Sequence, residues 1–445
     1  MISVKKQFAK YVSQNVFGMI GMSLYILADT FFIAKAVGAN GITALNLVLP
    51  VYNLIFAIGA MIGVGSAIRY TVSKNRTGED KEGYFFNALF WGIVIGIGFL
   101  LIGLFLPGQL VSLLGGDEVI VAIGAPYTRI FMLFSPFFIL NYICNAFVRN
   151  DGAPSIAMAA TLCSSLFNIV MDYVLMFPLK MGMPGAALAT AISPVIGILI
   201  CTIHFRSSRC SIAFHAVKPS FLRLVRSCQL GVAAFVGEIS SGVITTAFNM
   251  IILSLAGNIG VAAYGVVANT SLVAVAIFNG VSQGSQPLVS SSYGKQKPGE
   301  VKLLIRLAVV TTLVLAIAIF AGVAAGAKGI TAIFNSEGDA TLAAYAETGL
   351  RLYFTGFLFA GINIVGTGIL SAVESAKWAF TASILRGFVL ILLFAFTLPA
   401  AFGMNGVWLA FPAAELGTML VTITGLIKAV RHPGVPQSGS KEKEA

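Results

Sequence analysis

The chain has 445 residues, of which 58% are hydrophobic and only 10% charged, with a mean hydropathy of +0.92. Soluble domains carry about 25% charged residues, so this composition excludes an ordinary soluble fold and points to an integral membrane protein. A formal charge of +11 would suggest nucleic acid as the partner of a soluble protein, but in a membrane protein its meaning depends on where along the chain it falls.

Apolar runs long enough to cross ~30 Å of hydrocarbon as helices recur twelve times, at 11–36, 42–72, 84–107, 119–147, 155–178, 183–206, 224–256, 260–290, 301–326, 340–371, 377–400 and 405–430. The ~10-residue alternating segments of a β-barrel do not dominate anywhere. The first run carries Gln14 and Asn15 early and is followed by many similar runs, which argues against a cleaved signal peptide. With the amino terminus inside, the inner segments gather most of the 28 basic residues, among them Lys5, Lys6, Lys10, Arg69, Lys74, Arg76, Arg206, Arg209, Lys295, Lys302, Arg306, Lys428 and Arg431. The outer segments hold only Lys35, Arg129, Lys180, Lys328 and Arg351. The positive-inside rule then predicts a multi-pass protein of the plasma membrane with both termini cytoplasmic. Attraction of that basic face to anionic lipid headgroups accounts for the charge without nucleic acid.

The two halves resemble each other at an offset of about 220 residues. GITALNLVLP from Gly41 faces GVAAYGVVAN from Gly260, YTRIFMLFSPF from Tyr127 faces GLRLYFTGF from Gly349, and MGMPGAALAT from Met181 faces FGMNGVWLAF from Phe402. Six spans per half is an even number, so the halves share one orientation. Parallel repeats of this kind place a substrate path between two bundles. The fold predicted is all-α and polytopic, with two parallel six-helix bundles related by a pseudo-two-fold axis. Its divisions are an N-terminal lobe at 1–206, a cytoplasmic linker at 207–220, a C-terminal lobe at 221–430 and a flexible cytoplasmic tail at 431–445.

Of the 17 acidic residues, Asp29, Asp172, Glu238 and Glu415 fall inside spans, and an ionisable group within the membrane marks function by default. Asp29 lies on an outward-running helix ~27 Å from Lys10, and Asp172 about as far from Pro154 on another, at ~1.5 Å per residue. The two acids therefore share a level in the outer half of the first bundle. Asn168 sits one turn below Asp172 on the same face, and Thr190 and Tyr127 can reach that level. Two carboxylates with amide and hydroxyl neighbours can hold one cation, with sodium at Asp29, Asn168 and Asp172, or share one proton. In the second bundle Glu238 could attract a cationic substrate, whereas Glu415 is better read as the partner of Arg386.

Other signals carry less. The cysteines Cys144, Cys163, Cys201, Cys210 and Cys228 form no CxxC pair and stand near no histidine cluster, so neither disulfides nor a zinc site are expected. GVSQG from Gly280 matches a nucleophile-elbow pattern but follows no strand. Neither a Walker motif nor HExxH is present. GxxxG at Gly59 and Gly63, and again at Gly322 and Gly326, predicts close helix packing. Pro50, Pro136, Pro194, Pro287 and Pro412 predict kinks, and Trp378 and Trp408 fall at span ends as interfacial anchors should.

The segments DTFFIAKAVGANGITALNLVLP, RNDGAPSIAMAATLCSSLFNIVMDYV and GVSQGSQPLVSSSYGKQKPGEVK resemble the multidrug and toxic compound extrusion transporters, across all twelve spans. The resemblance is to the bacterial and archaeal branch with its ion site in the N-terminal lobe. It implies two six-helix lobes around a V-shaped cleft, and exchange of a proton or sodium ion for small organic cations by a monomer. No further cofactor is implied. That branch uses an aspartate on the first span, an asparagine and aspartate four apart on the fifth, a threonine on the sixth and a tyrosine on the fourth. The matching positions are Asp29, Asn168, Asp172, Thr190 and Tyr127. Another branch places acids on the seventh and tenth spans; Glu238 matches the first, but LYFTGFLFAGINIVGTGIL has no acid for the second. Some relatives carry a proline that bends the first span, where this chain has Ser13, Gln14 and Asn15. The rival reading is a lipid-linked oligosaccharide flippase of similar architecture, which calls for a strongly basic cavity where this chain embeds only Arg386. An enzyme would need a nucleophile or metal motif that the sequence lacks.

Overall fold

A backbone in lipid must satisfy its own hydrogen bonds, so long apolar segments fold as helices. The computed structural model describes residues 3–76, 83–212, 217–335 and 338–431, and these are helices joined by short turns. The predicted tail from 432 onward, residues 213–216 of the linker, and Lys81, His215 and His432 lie outside the described residues.

The first half comprises α1 (Val4–Ala36), α2 (Ala39–Asn75), α3 (Tyr84–Phe105), a short α4 (Pro107–Leu113), α5 (Glu118–Leu133), α6 (Ser135–Asn150), α7 (Pro154–Met176) and α8 (Gly182–Phe205). The second comprises α9 (Phe221–Gly294), α10 (Pro298–Phe334), α11 (Ala340–Tyr353), α12 (Phe357–Ala372), α13 (Ala376–Ile384) and α14 (Leu390–Arg431). Local signals set the ends. Asp117 caps α5 by accepting from the Ile120 amide at 2.8 Å, and Asp339 caps α11 by accepting from Thr341 and Leu342. Proline opens α6, α7 and α10.

The helices α9 and α14 are each two spans joined at a glycine. Gly257 (φ 61°) divides α9 and Gly403 (φ 56°) divides α14. Their repeat mates, Gly38 (φ 82°) and Gly182 (φ 56°), make the equivalent turns in the first half. These backbone angles are open to glycine and strained for other residues, so the duplication is visible in the turns as well as in the spans.

The fourth span is broken where one continuous helix was predicted. Phe134 leaves helical geometry, and α5 and α6 meet at 47°. Pro136 in the first turn of α6 explains the break, because proline removes a donor and crowds the preceding turn. The tenth span is interrupted at the matching place by a 3-10 turn at Phe354–Gly356, between α11 and α12. The first span, α1, is one continuous helix.

One hydrophobic cluster draws on residues from Ile33 to Leu224 and a second on residues from Phe248 to Ala414. A third joins the halves, with Phe8, Val12, Ile68 and Val72 packed against Leu230, Val281, Val289 and Ile369. It lies at the end that carries both Val4 and Arg431, called the basic end below. Glycines permit the close approach there: a Cβ on Gly231 would strike the Met61 carbonyl, and one on Gly65 the Ser227 carbonyl. Polar bridges cross the same seam. Glu374, in the turn after α12, pairs with both Arg69 of α2 and Arg76 just past its end, the latter at 2.8 Å. Buried Arg149 donates to Gln283 of α9 at 2.5 Å and to Asn15 of α1 at 3.3 Å.

Three expectations fail here. Gly59 and Gly63 do admit a neighbour, α6 at Ile139 and Tyr142, but Gly322 faces open space and Gly326 meets only its own helix, so the second GxxxG packs nothing. Trp408 is no interfacial anchor: it is fully buried, against Gly349 and stacked with Tyr264. Trp378 is partly buried beneath the Lys428 ammonium, 4.6 Å from its ring centre. The third concerns Cys210, which does stand beside a histidine. Its sulfur lies with His204 and Asp151 in a group of ligand atoms all within 4.8 Å of one another.

Candidate ion-coupling site

Asp29 on α1 and Asp172 on α7 meet in the first half, close enough for their carboxyls to share a proton. This is the meeting expected from equal depth on neighbouring helices. Asp172 and Asn168 are completely buried, and Thr190 of α8 almost so. With its nitrogen toward Asp172, the Asn168 amide donates to Oδ2 at 3.1 Å, while its oxygen accepts from the Thr190 backbone and hydroxyl at 3.2 Å each. Asn168 thus ties α7 to α8 beneath the pair. One oxygen of each carboxyl, Asp29 Oδ1 and Asp172 Oδ1, is buried without a hydrogen-bond partner within the protein.

Tyr127 of α5 is fully buried within electrostatic range of both acids and stacks on Phe131. Sequence reasoning missed the rest of this wall. Tyr25, one turn before Asp29 on α1, lies beside Tyr52 of α2. Tyr52 stacks on Phe131 at 4.4 Å between ring centres, and Phe56 packs edge-on against Tyr142 at 5.4 Å. The i, i+4 spacing of Tyr25 and Asp29 was the signal available, since it puts ring and carboxyl on one face. Glu238 of α9, in the second half, is partly buried and lies within electrostatic range of Tyr25 and Tyr142.

Glu415 is paired as expected. Arg386 donates through Nε to Glu415 Oε1 at 2.6 Å, and Asn363 donates to Oε2 at 2.7 Å. Thr422 donates to Asn363 Oδ1 at 2.8 Å and closes the network. Arg386 sits on a π-helical turn, Leu385–Val389, between α13 and α14. Such a turn re-aims side chains relative to a regular helix.

A second polar cluster, at the basic end of the first half, was not foreseen. Asp151, just past α6, accepts through Oδ1 from Lys74 at 2.8 Å, Tyr70 at 3.0 Å and the Ser211 hydroxyl, and its Oδ2 accepts from the Ser211 amide at 2.8 Å and meets His204 at 2.9 Å. Burial alone would push its carboxyl up, but the Lys74 ammonium and the Ser211 and His204 bonds outweigh that and hold it down at about 2. With Lys74 already on Asp151, the Asp151, His204 and Cys210 group reads as an ion-paired clasp of α2, α6 and α8.

A family model described as MatE matches residues 15–174 and 233–397, most of the chain and both halves of the repeat. The chain belongs to the MatE family. Its similar curated proteins are transporters: the multidrug export protein MepA of Staphylococcus saprophyticus is 27% identical over 426 residues, covering 94% of this chain and 93% of its own length. MepA of Staphylococcus aureus strain MRSA252 is 28% identical over 413 residues, covering 91% and 90%. Among solved structures, an outward-facing MATE family transporter of the MOP superfamily superposes with a TM-score of 0.88 at 20% identity, over 96% of this chain and 97% of its own. A MOP superfamily transporter from Pyrococcus furiosus, described with reverse polarity of its binding pocket, gives 0.86 at 20% identity, over 97% of both chains. This MatE protein is thus an all-α, multi-pass membrane transporter with the fold of its relatives.

Proposed function

We propose that this MatE protein is a secondary active antiporter that exports organic cations in exchange for protons. The observation that carries the reading is the contact between Asp29 and Asp172. Two bare carboxylates repel each other at that distance, so the pair holds one proton between them or a cation across them. The proton is favoured because Asp29 Oδ1 and Asp172 Oδ1 are both buried without a protein partner, and one shared proton relieves the pair without the several further oxygen ligands that sodium takes. Multidrug export is the activity named for the MepA relatives, and the site here suits that role.

The two main hydrophobic clusters support a division into lobes at 1–206 and 221–430, with Leu224 at the start of α9 packing on the first. The halves meet at the basic end, which we place in the cytoplasm of a plasma-membrane protein acting as a monomer, so the cleft opens at the far side. In the cleft, Glu238 offers a charge and Tyr25 and Tyr142 offer ring faces to an amphipathic cation. Protonation of the pair favours one arrangement of the lobes, and bound substrate favours the other. A flippase holding pyrophosphate would need free embedded cations, whereas Arg386 is taken by Glu415 and buried Arg149 is engaged by Gln283 and Asn15.

The test is ethidium efflux from vesicles reconstituted with the protein, under an imposed proton or sodium gradient. The parent is expected to respond to the proton gradient and Asp29→Asn to neither. Equal transport by parent and variant under both gradients would overturn the coupling role. A response of the parent to sodium alone would replace the proton by sodium at the same residues.

A further inference from the structure

We propose that a groove between α10 and α14 at the basic end is a binding site for one anionic phospholipid, with an acyl chain in the groove and the headgroup phosphate on Arg431. Lining, depth and charge each point to it, independently of the transport reading. The groove encloses about 380 Å³, within the ~300–1,000 Å³ usual for ligand sites. Ile305 and Val309 of α10 form one wall, Ile423 and Val430 of α14 the other, and Ile362 of α12 the floor. Arg431 is the one polar residue among the lining groups.

Depth fits a lipid tail. At ~1.5 Å per residue, Ile423 lies ~12 Å along α14 from Arg431, and Val309 ~17 Å along α10 from Pro298. One leaflet of hydrocarbon is ~15 Å deep. The slot therefore runs from headgroup level to about the bilayer midplane, and it is apolar throughout that run.

Charge selects the headgroup. Arg431 lines the groove and is exposed, and Lys302, also exposed, lies one turn from Ile305 toward the start of α10. Arg431 forms no ion pair among the described residues, and Glu300, the acid in the first turn of α10, is held by Lys297 at 2.9 Å. A zwitterionic lipid would bring a cation of its own to this rim, whereas an anionic lipid brings none. The floor also abuts the Glu415 network, because Ile362 precedes Asn363 and Ile423 follows Thr422, which bonds Asn363 at 2.8 Å. A chain in the slot packs against the back of that network, so occupancy should raise the thermal stability of the protein.

The experiment is native mass spectrometry of the full chain in detergent, titrated with equal amounts of phosphatidylglycerol and phosphatidylcholine of identical acyl chains. The parent should retain phosphatidylglycerol in preference. Arg431→Gln, an exposed change at a helix end, should lower that preference about fivefold, the effect of removing one basic contact at a membrane surface. Val309→Trp should fill the slot and remove retained lipid of both kinds. Melting temperatures should rise with added phosphatidylglycerol in the parent and not in Val309→Trp. Equal retention of the two lipids by the parent would mean ordinary annular contact and would overturn the proposal. So would an unchanged preference in Arg431→Gln, or full retention by a folded Val309→Trp.

Discussion

Asp172 is completely buried with one carboxyl oxygen lacking a protein partner, an arrangement that costs stability in an apolar span. Asp172→Asn keeps the shape and removes the charge. It is expected to raise the unfolding temperature in detergent by the equivalent of about 1–2 kcal/mol while abolishing gradient-driven efflux. Glu415 behaves in the opposite way, because its charge is matched. Glu415→Gln leaves Arg386 embedded without its partner and should cost about 3–5 kcal/mol, whereas Arg386→Met combined with Glu415→Leu should cost less than either single change. Asp151 supplies a pH test. Its folded value of about 2 lies below the usual carboxylate range, so its contribution of about 2 kcal/mol is complete above pH ~4 and lost as pH falls from there toward 2. Asp151→Asn should flatten thermal stability over that window, measured by melting curves at each pH.

At the scale of elements, the turns carry more information than the spans. Gly257 has φ 61° and ψ −158°, yet a Cβ there would meet nothing within 4 Å. Gly257→Ala should therefore lose about 2 kcal/mol from backbone strain alone, with no clash to relieve; equilibrium unfolding against the parent measures it. Much of this level was legible in the sequence. Hydropathy located the spans, and the repeat blocks flank the glycine turns Gly38, Gly257, Gly182 and Gly403. Depth counting brought Asp29 to Asp172, and counting turns on one helix brought Asn168 with them. What escaped depends on rotation about helix axes, which hydropathy does not report in a chain apolar all round. Trp408 looked like an anchor because of its place along the chain, but its face points inward. The Asp151 clasp escaped for a related reason: a loop aspartate and a terminal histidine look solvated until the linker folds Ser211 over them.

For the whole molecule, the joint between the halves at the basic end combines an apolar seam with few charges. Glu374 is its one acid paired across the halves among the described residues, and it answers two arginines. Glu374→Gln should loosen this joint. A cysteine placed at the fully buried Ser285, with the five natural cysteines replaced, should then react faster with a thiol reagent supplied from the basic end. An unchanged labelling rate would show that the apolar seam alone holds the halves together.

The capture of Glu415 by Arg386 has a consequence for the energy supply. Gene duplication produced two lobes of one fold, but an internal countercharge silences Glu415 in the second, and with Glu238 left to the substrate the proposed capacity for coupling protons rests on the two carboxyls of the first. At most two protons can then enter per cycle, and exchange of one proton for one monovalent cation moves no net charge. In that regime membrane voltage, worth about 2.3 kcal/mol per charge at 100 mV, does no work on transport, and the concentration difference of the proton across the membrane is the whole driving force.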